Sequence, residues 1–477
     1  MKTGYVGLID RLTFCASLMA TLLLCVLLMP APVLAEGGGS DALDRLSAQA
    51  RSKQSQVNKR AVPKRRLRQR LKRRPVRAAR RVPVRKARSP LLIKRLELKW
   101  WLKPLAERYV PREVLLTFKP GTETGQIARI AAQHRLRLLA AEPNTLLDTK
   151  IYFFDYSRDI PVRDMLAALK QHAAVATAQP NYLYATQQAG KGGWKARKNY
   201  NLQYALKNLD VAEAQDHLLG KGIIVAVIDS QMDLEHSELA GVVVDAFNAI
   251  SRGGAGEPNT HGTAIGSIIA ARGQLTGVAP GASIVTVRAF EGVSRFGPAL
   301  GTSRALLQGV DWAFSRRARI FNLSFAGPKD PLFLKALTRL SAEGAILIAS
   351  AGNEGDRSPA LYPAAADMVI AVTALNQKDN LFIAASHGDY VEMASPGVDI
   401  LVALPGQRYG FMSGTSMAAA HISGIAALIL EHNRDLPAAE LRRILVSTAE
   451  DLGASGRDAL YGAGRVSAAK AIQAALQ

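Results

Sequence analysis

A carboxylate, an imidazole and a hydroxyl each stand at the edge of an apolar run in this chain. Ser416 lies in the stretch 411–424, FMSGTSMAAAHISG, after a Gly-Thr turn and ahead of an alanine-rich run through Ile429. That pattern predicts a helix whose first turn presents the hydroxyl. The free N–H groups and dipole of a helix start favour negative charge, so an oxyanion beside Ser416 would be stabilised. A serine cap on a core helix fits the same residues. Asp229 ends the apolar run 222–228, GIIVAVI. Such a run reads as a parallel strand buried on both faces, and the C-terminal end of that kind of strand is where open α/β sheets place their ligands. Aspartate also forms turns there. His261, in the stretch 259–266, NTHGTAIG, opens an apolar helix through Ala271. An imidazole buried in such a helix is costly unless something pairs with it. A hydroxyl is a poor nucleophile until a base removes its proton. His261 is a suitable base, and Asp229 would hold its tautomer.

Two more stretches extend this set. Residues 346–355, ILIASAGNEG, end a buried strand at Asn353, where an amide N–H can donate to an oxyanion together with the Ser416 backbone N–H. Residues 320–327, IFNLSFAG, end an apolar stretch in glycine, and glycine there would let a peptide backbone approach. Another core strand ending in a turn is the alternative.

These motifs, in the chain order Asp…His…Ser, resemble the subtilisin-like serine peptidases. The resemblance covers residues 205–477 and closes with LYGAGRV at 460–466. It implies an α/β fold, a mostly parallel sheet with helices on both faces. It also implies a serine endopeptidase that acts on polypeptides through an acyl-enzyme. Asp229, His261 and Ser416 would be catalytic, with Asn353 in the oxyanion hole. Leu323, Ser324, Phe325, Ala326 and Gly327 would align the substrate, and Ser350, Ala351 and Gly352 would line the primary specificity pocket. Three positions depart from the pattern. Gln231 stands where the family usually has glycine, Ala264 where a second histidine is common, and Ala420 where proline is usual. The loop in 273–281, GQLTGVAPG, is short and lacks the oxygen-rich insert that binds calcium in many relatives. No metal and no cofactor are expected.

Ahead of the peptidase pattern, residues 110–186 alternate between the two periods. Strands are predicted at 113–118 and 151–154, helices at 124–136 and 162–172, and an extended run at 176–184. The order and position resemble the inhibitory propeptides of the family, small α+β domains whose tail lies in the active site until cut. A linker with Gly190, Gly192 and Gly193 follows at 187–200, and the peptidase domain occupies 201–477. Self-cleavage is expected between Ala185 and Lys198.

Composition bounds the rest. A chain of 477 residues has room for two or three domains. Its formal charge is +22, yet residues 51–103 carry 22 Lys/Arg against the single acid Glu97. The basic pI therefore belongs to one segment, residues 36–105, and the remainder is nearly neutral. Interrupted by Pro63, Pro75, Pro83 and Pro90, that segment cannot bury enough apolar surface to fold alone and is predicted to be disordered. It is a solvated linker or a tether to an anionic surface. The basic segment has no aromatic residue to stack on bases before Trp100, so no specific nucleic-acid partner is expected. Residues 1–35 read as an export signal, with an apolar run at 12–29 and small residues before a cut after Ala35; an uncleaved membrane anchor is the alternative. Both cysteines, Cys15 and Cys25, fall within it. A secreted or periplasmic monomer is expected.

Overall fold

The structure is a computed structural model that describes residues 104–156, 160–187, 193–194, 202–250, 258–292 and 299–477. These belong to one compact unit, residues 86–477. The export-type segment 1–35, the basic segment as far as residue 103, and the linker at 188–192 and 195–200 lie outside the described residues.

The elements in chain order begin with β1 (Tyr109–Phe118), α1 (Thr124–Gln133), β2 (Leu136–Asn144), β3 (Thr149–Tyr156), α2 (Val162–Lys170), β4 (Val175–Thr186) and the short β5 (Gly193–Trp194). Next come α3 (Tyr204–Asn208), α4 (Val211–Gln215), β6 (Ile224–Ser230), β7 (Val243–Asn248), α5 (Thr260–Ala270), β8 (Ser283–Gly292), β9 (Ala299–Thr302) and α6 (Ser303–Ser315). The chain continues through β10 (Ile320–Leu323), β11 (Phe325–Ala326), α7 (Pro331–Ala342), β12 (Ile346–Ser350), β13 (Val369–Leu375) and β14 (Met393–Pro396). It ends with β15 (Ile400–Leu404), β16 (Arg408–Met412), α8 (Thr415–His432), α9 (Ala438–Ser447) and α10 (Ala468–Leu476).

Strands β14, β13, β12, β10, β6 and β8 lie side by side in that order, all parallel. Their residues alternate between two cores. Val225 and Val227 of β6 join the cluster formed with α5, α8 and α10, while Ala226 and Ile228 join the one formed with α6 and α7. Side chains of a strand alternate faces, so a strand covered on both sides must be apolar throughout. Helix α8 is apolar all round and buried from Thr415 through Leu430. Its small residues permit close approach: a Cβ on Gly424 would stand 2.5 Å from the Val278 Cβ.

The same sheet continues, antiparallel, through β9, β4, β1, β3 and β2 into the small domain. That domain has its own core, in which Val114, Leu116 and Phe118 meet Ile127, Ile130, Met165 and Leu169. The opposite face of its sheet carries Leu115 and Phe153, which join Leu306 and Val310 of α6 in the second of the two cores. The unbroken Val-Leu-Leu run at 114–116 thus has two apolar partners, one per face. Polar contacts reinforce the second: the Asn144 side chain donates to the Leu307 carbonyl at 3.2 Å, and the Asp311 carboxylate accepts from the Leu146 N–H at 2.8 Å. Strand β2 was not legible in the sequence. Its pattern is irregular, with a register shift between Leu138 and Ala140, and it gains order by pairing with β3.

Candidate active site

The parallel sheet sets Asp229 at the C-terminal end of β6. His261 sits one residue inside α5, whose cap Asn259 accepts from the His261 N–H at 3.0 Å. The two elements touch closely enough that a Cβ on Gly262 would lie 2.4 Å from the Ser230 carbonyl oxygen. That contact explains the glycine after the histidine. It brings His261 Nδ1 to 2.8 and 2.9 Å from the two Asp229 carboxylate oxygens, with both side chains completely buried. The carboxylate is fixed in turn by the Ser230 N–H at 2.6 Å and the Ser230 hydroxyl at 3.0 Å. A buried carboxylate held this way fixes the proton of a neutral imidazole on Nδ1 and leaves Nε2 as the base. Nε2 is buried and makes no hydrogen bond among the described residues.

Ser416 occupies the first turn of α8, but it is not the cap. Gly414 takes that place, and no side chain caps the helix. The Ser416 hydroxyl instead lies 2.8 Å from the Gln187 carbonyl oxygen and 3.1 Å from that of Ser324. Asn353 faces the same point from the end of β12. Its side-chain oxygen accepts from the Thr415 N–H at 3.0 Å and the Thr415 hydroxyl at 2.9 Å, which turns Nδ2 the other way. Nδ2 is buried and has no hydrogen-bond partner among the described residues. A Cβ on Gly414 would come within 3.0 Å of both Asn353 Nδ2 and the Gln187 carbonyl oxygen, so glycine keeps that space open. The Asn353 amide thus lies close to Gly414 and the Gln187 carbonyl oxygen, the same carbonyl that the Ser416 hydroxyl touches.

Part of the stretch 323–327, expected to align a substrate, pairs with β4. Phe325 and Ala326 of β11 pair with Thr186 and Ala185 of β4. Ser324 supplies its carbonyl to Ser416, and a Cβ on Gly327 would meet the Tyr184 ring. Leu323 lies further in, in β10, with its backbone paired to Ala349. Ser350 closes β12 with its hydroxyl buried and unpartnered, the Ala351 carbonyl accepts from the Tyr390 hydroxyl at 2.9 Å, and the Gly352 N–H donates to Thr415 Oγ1 at 3.2 Å. Strand β9, which also pairs with β4, escaped the sequence reading; Thr302, Gly301 and Leu300 pair with Leu183, Tyr184 and Ala185. Four residues carry too weak a strand signal to be found alone. Thr415 and Ser230, which orient Asn353 and Asp229, also went unremarked because a short polar side chain has no signature until its partner is known.

A profile of the subtilase family matches residues 220–464. The chain belongs to this family. It is 31% identical to a thermophilic serine proteinase of Bacillus sp. (strain AK1) over 363 residues, which are 74% of this chain and 86% of that one. Thermitase of Thermoactinomyces vulgaris is 32% identical over 277 residues, covering 57% of this chain and 96% of thermitase. Among solved structures, fervidolysin from Fervidobacterium pennivorans aligns with a TM-score of 0.64 at 23% identity. The alignment covers 78% of this chain and 62% of fervidolysin, so the two share a fold over less than two thirds of fervidolysin's length. The subtilase fold expected from the motifs is the one observed, and a serine peptidase acts on polypeptides.

The family usually carries proline at position 420, and Ala420 leaves α8 as a continuous 18-residue helix. The short loop after Ala271 is built round a carboxylate. Completely buried, Glu238 accepts from the N–H groups of Gly273 at 2.9 Å, Gln274 at 2.7 Å and Leu275 at 3.2 Å, and from the Tyr409 hydroxyl at 2.7 Å. Gln203 clamps the far side, accepting from the Thr276 N–H at 3.0 Å and donating to its carbonyl at 2.9 Å. The loop therefore turns donors inward, an arrangement that suits an anion. No group of three or more metal-ligating side chains occurs among the described residues.

Proposed function

We propose that the chain is an exported precursor of a serine endopeptidase that cuts itself free of its small domain. The observation that supports this reading is the Ser416 hydroxyl set 2.8 Å from the Gln187 carbonyl oxygen, with Asn353 Nδ2 close to Gly414 and His261 Nε2 buried, neither with a hydrogen-bond partner among the described residues. Ser416 attacks the carbonyl carbon of residue 187 as His261 Nε2 takes its proton. The oxyanion is held by Asn353 Nδ2 and the Ser416 backbone N–H, donors in place before charge develops. Collapse of the tetrahedral species breaks the bond to residue 188, and His261 hands its proton to the leaving amine. Water, activated by the same imidazole, then releases the acyl group. Asp229 stays ionised throughout and stabilises the imidazolium.

The tail supports the direction of cutting. Residues 183–186 run antiparallel between β9 and β11, so main-chain hydrogen bonds align them whatever their side chains. The Gln187 side chain is held by the Asn353 N–H at 3.1 Å to its Oε1. Beyond the cut, the Arg/Lys-rich segment would leave with the small domain, and the nearly neutral peptidase would be free of any anionic surface that the segment holds. Export rests on the apolar run at 12–29 and the small residues before Ala35. A fluorophosphonate probe on the mature form tests the chemistry. We expect one label, on Ser416, and none on His261→Ala; an unlabelled Ser416 in folded protein would leave a peptide-holding groove without catalysis.

A further inference from the structure

Two histidines of the small domain meet away from the peptidase site. His134 is the C-cap of α1, and His172 stands two residues beyond the end of α2. Their Nε2 atoms are 2.7 Å apart, with the ring planes at 89° and the centroids 4.9 Å apart. Both residues are half-buried, so solvent still reaches the pair. The backbone fixes where each imidazole starts. The His134 N–H donates to the Ile130 carbonyl at 3.2 Å, and Arg135 then turns the chain into β2 with φ 53°. The His172 N–H donates to the Leu169 carbonyl at 3.2 Å, and its own carbonyl accepts from the Val175 N–H at 2.9 Å where β4 begins. Ile130 and Leu169 are both buried in the small domain's core, so the two helix ends rest on one packed layer.

Two nitrogens at this distance have room for a single proton between them. In the neutral pair one Nε2–H donates to the lone pair of the other Nε2. Neither ring makes another hydrogen bond among the described residues, so no partner pins the proton to one nitrogen or the other. Once the donor ring carries its proton on Nδ1, both Nε2 lone pairs face one point. Both helices also end there, and the carbonyl ends of helix dipoles favour a cation. Arg135 and Lys170, the charged neighbours in sequence, are exposed, where water and salt screen them.

We propose that His134 and His172 form a binding site for a divalent transition-metal ion of the zinc, nickel or copper type, which ties the ends of α1 and α2 together. Zinc takes imidazole nitrogens at about 2.0–2.1 Å, which in a tetrahedral arrangement sets two of them roughly 3.3 Å apart. That is slightly wider than the 2.7 Å seen here, an opening that small side-chain rotations supply. Water completes the coordination. Binding to the neutral pair shifts the bridging proton to Nδ1 and releases none. Imidazole nitrogens without a carboxylate select such ions over calcium and magnesium, which take oxygen ligands. Two protein ligands hold an ion only while it is supplied, so the site fills and empties with the metal around the chain. Filling it joins positions 134 and 172 and stabilises the folded small domain over its unfolded chain. None of this depends on the cleavage proposed above.

The test uses the full chain carrying Ser416→Ala, so that the small domain stays attached, near neutral pH. Zinc titrated by calorimetry should fill one saturable site and raise the denaturation midpoint. His134→Gln and His172→Gln should each weaken that site by about tenfold or more, since even a ligand's outer partner is worth that much. Each should also abolish the rise in midpoint, and the double variant should lose nothing further, as expected of one shared site. Calcium should give no binding that either substitution removes. A chain that binds no zinc, or zinc binding that survives either substitution, would overturn the proposal. A second measurement needs no variant. Diethyl pyrocarbonate modifies accessible imidazoles, and zinc should protect His134 and His172 together, as read by peptide mapping. Modification of the two rings that zinc leaves unchanged would overturn the proposal as well.

Discussion

The hydroxyl of Ser416, in the first turn of α8, donates to the carbonyl oxygen of Gln187, the residue just past the end of β4, at 2.8 Å. The two lie 229 positions apart in sequence. Their meeting turns a tail into a bound peptide and gives the first prediction. Sequencing the mature form should find Gln188 at its N-terminus. The Ser416→Ala chain should accumulate uncut when expressed in a host without other exported proteases. Identical processing of that variant would assign the cut to another enzyme.

Asn353 is expected to act on turnover rather than on affinity. Its oxygen is occupied by Thr415, and its Nδ2 makes no hydrogen bond among the described residues, which in the proposed reaction leaves it to the developing oxyanion. Asn353→Ala should lower kcat by roughly 10²–10³-fold with little change in KM. A rise in KM at constant kcat would give Asn353 a binding role instead.

Glu238 should matter to stability as a metal would elsewhere. Glu238→Ala removes the acceptor of three N–H groups, of which that of Leu275 is buried, and of the Tyr409 hydroxyl, and should cost about 3 kcal/mol in urea unfolding. Tyr409→Phe, which removes one donor, should cost about 1 kcal/mol. Because the loop's N–H groups point inward, EDTA should leave the melting temperature of the parent protein unchanged. A chelator-dependent fall would locate a cation elsewhere.

His421, buried in α8, gives a pH prediction. Burial pushes its pKa down from 6.5 to about 4, against the opposing pull of the Met417 and Pro396 carbonyls. The unfolded chain therefore takes up a proton below about pH 6.5 that the folded chain refuses until about pH 4. Stability from this group is complete above 6.5, falls as the pH drops through that window, and is lost below it, a change of about 3 kcal/mol. In His421→Gln the slope of unfolding free energy between pH 6.5 and 4 should be shallower by that amount. Parallel curves for the two proteins would mean that His421 ionises without penalty in the fold.

Some of this was written locally in the chain. Asp229, His261 and Asn353 were legible because each ends or opens an apolar run, and a polar group at such an edge is either paired or used. The paired helices and three strands of the small domain followed from periodicity, since apolar spacing records which face of an element is buried. Glycines 262 and 414 were part of the motifs, yet only packing gives their reason: a Cβ at either would enter the space between elements far apart in sequence. Short β9, the irregular β2 and the role of Glu238 were settled by tertiary structure, because a strand of four residues or a lone buried carboxylate acquires meaning only from the groups that come to pair with it. So too with Gln187 and Tyr184. Sequence order put a tail before a peptidase, and the fold decided that its last carbonyl meets Ser416 and that its tyrosine ring packs edge-on against Phe325 and Phe333.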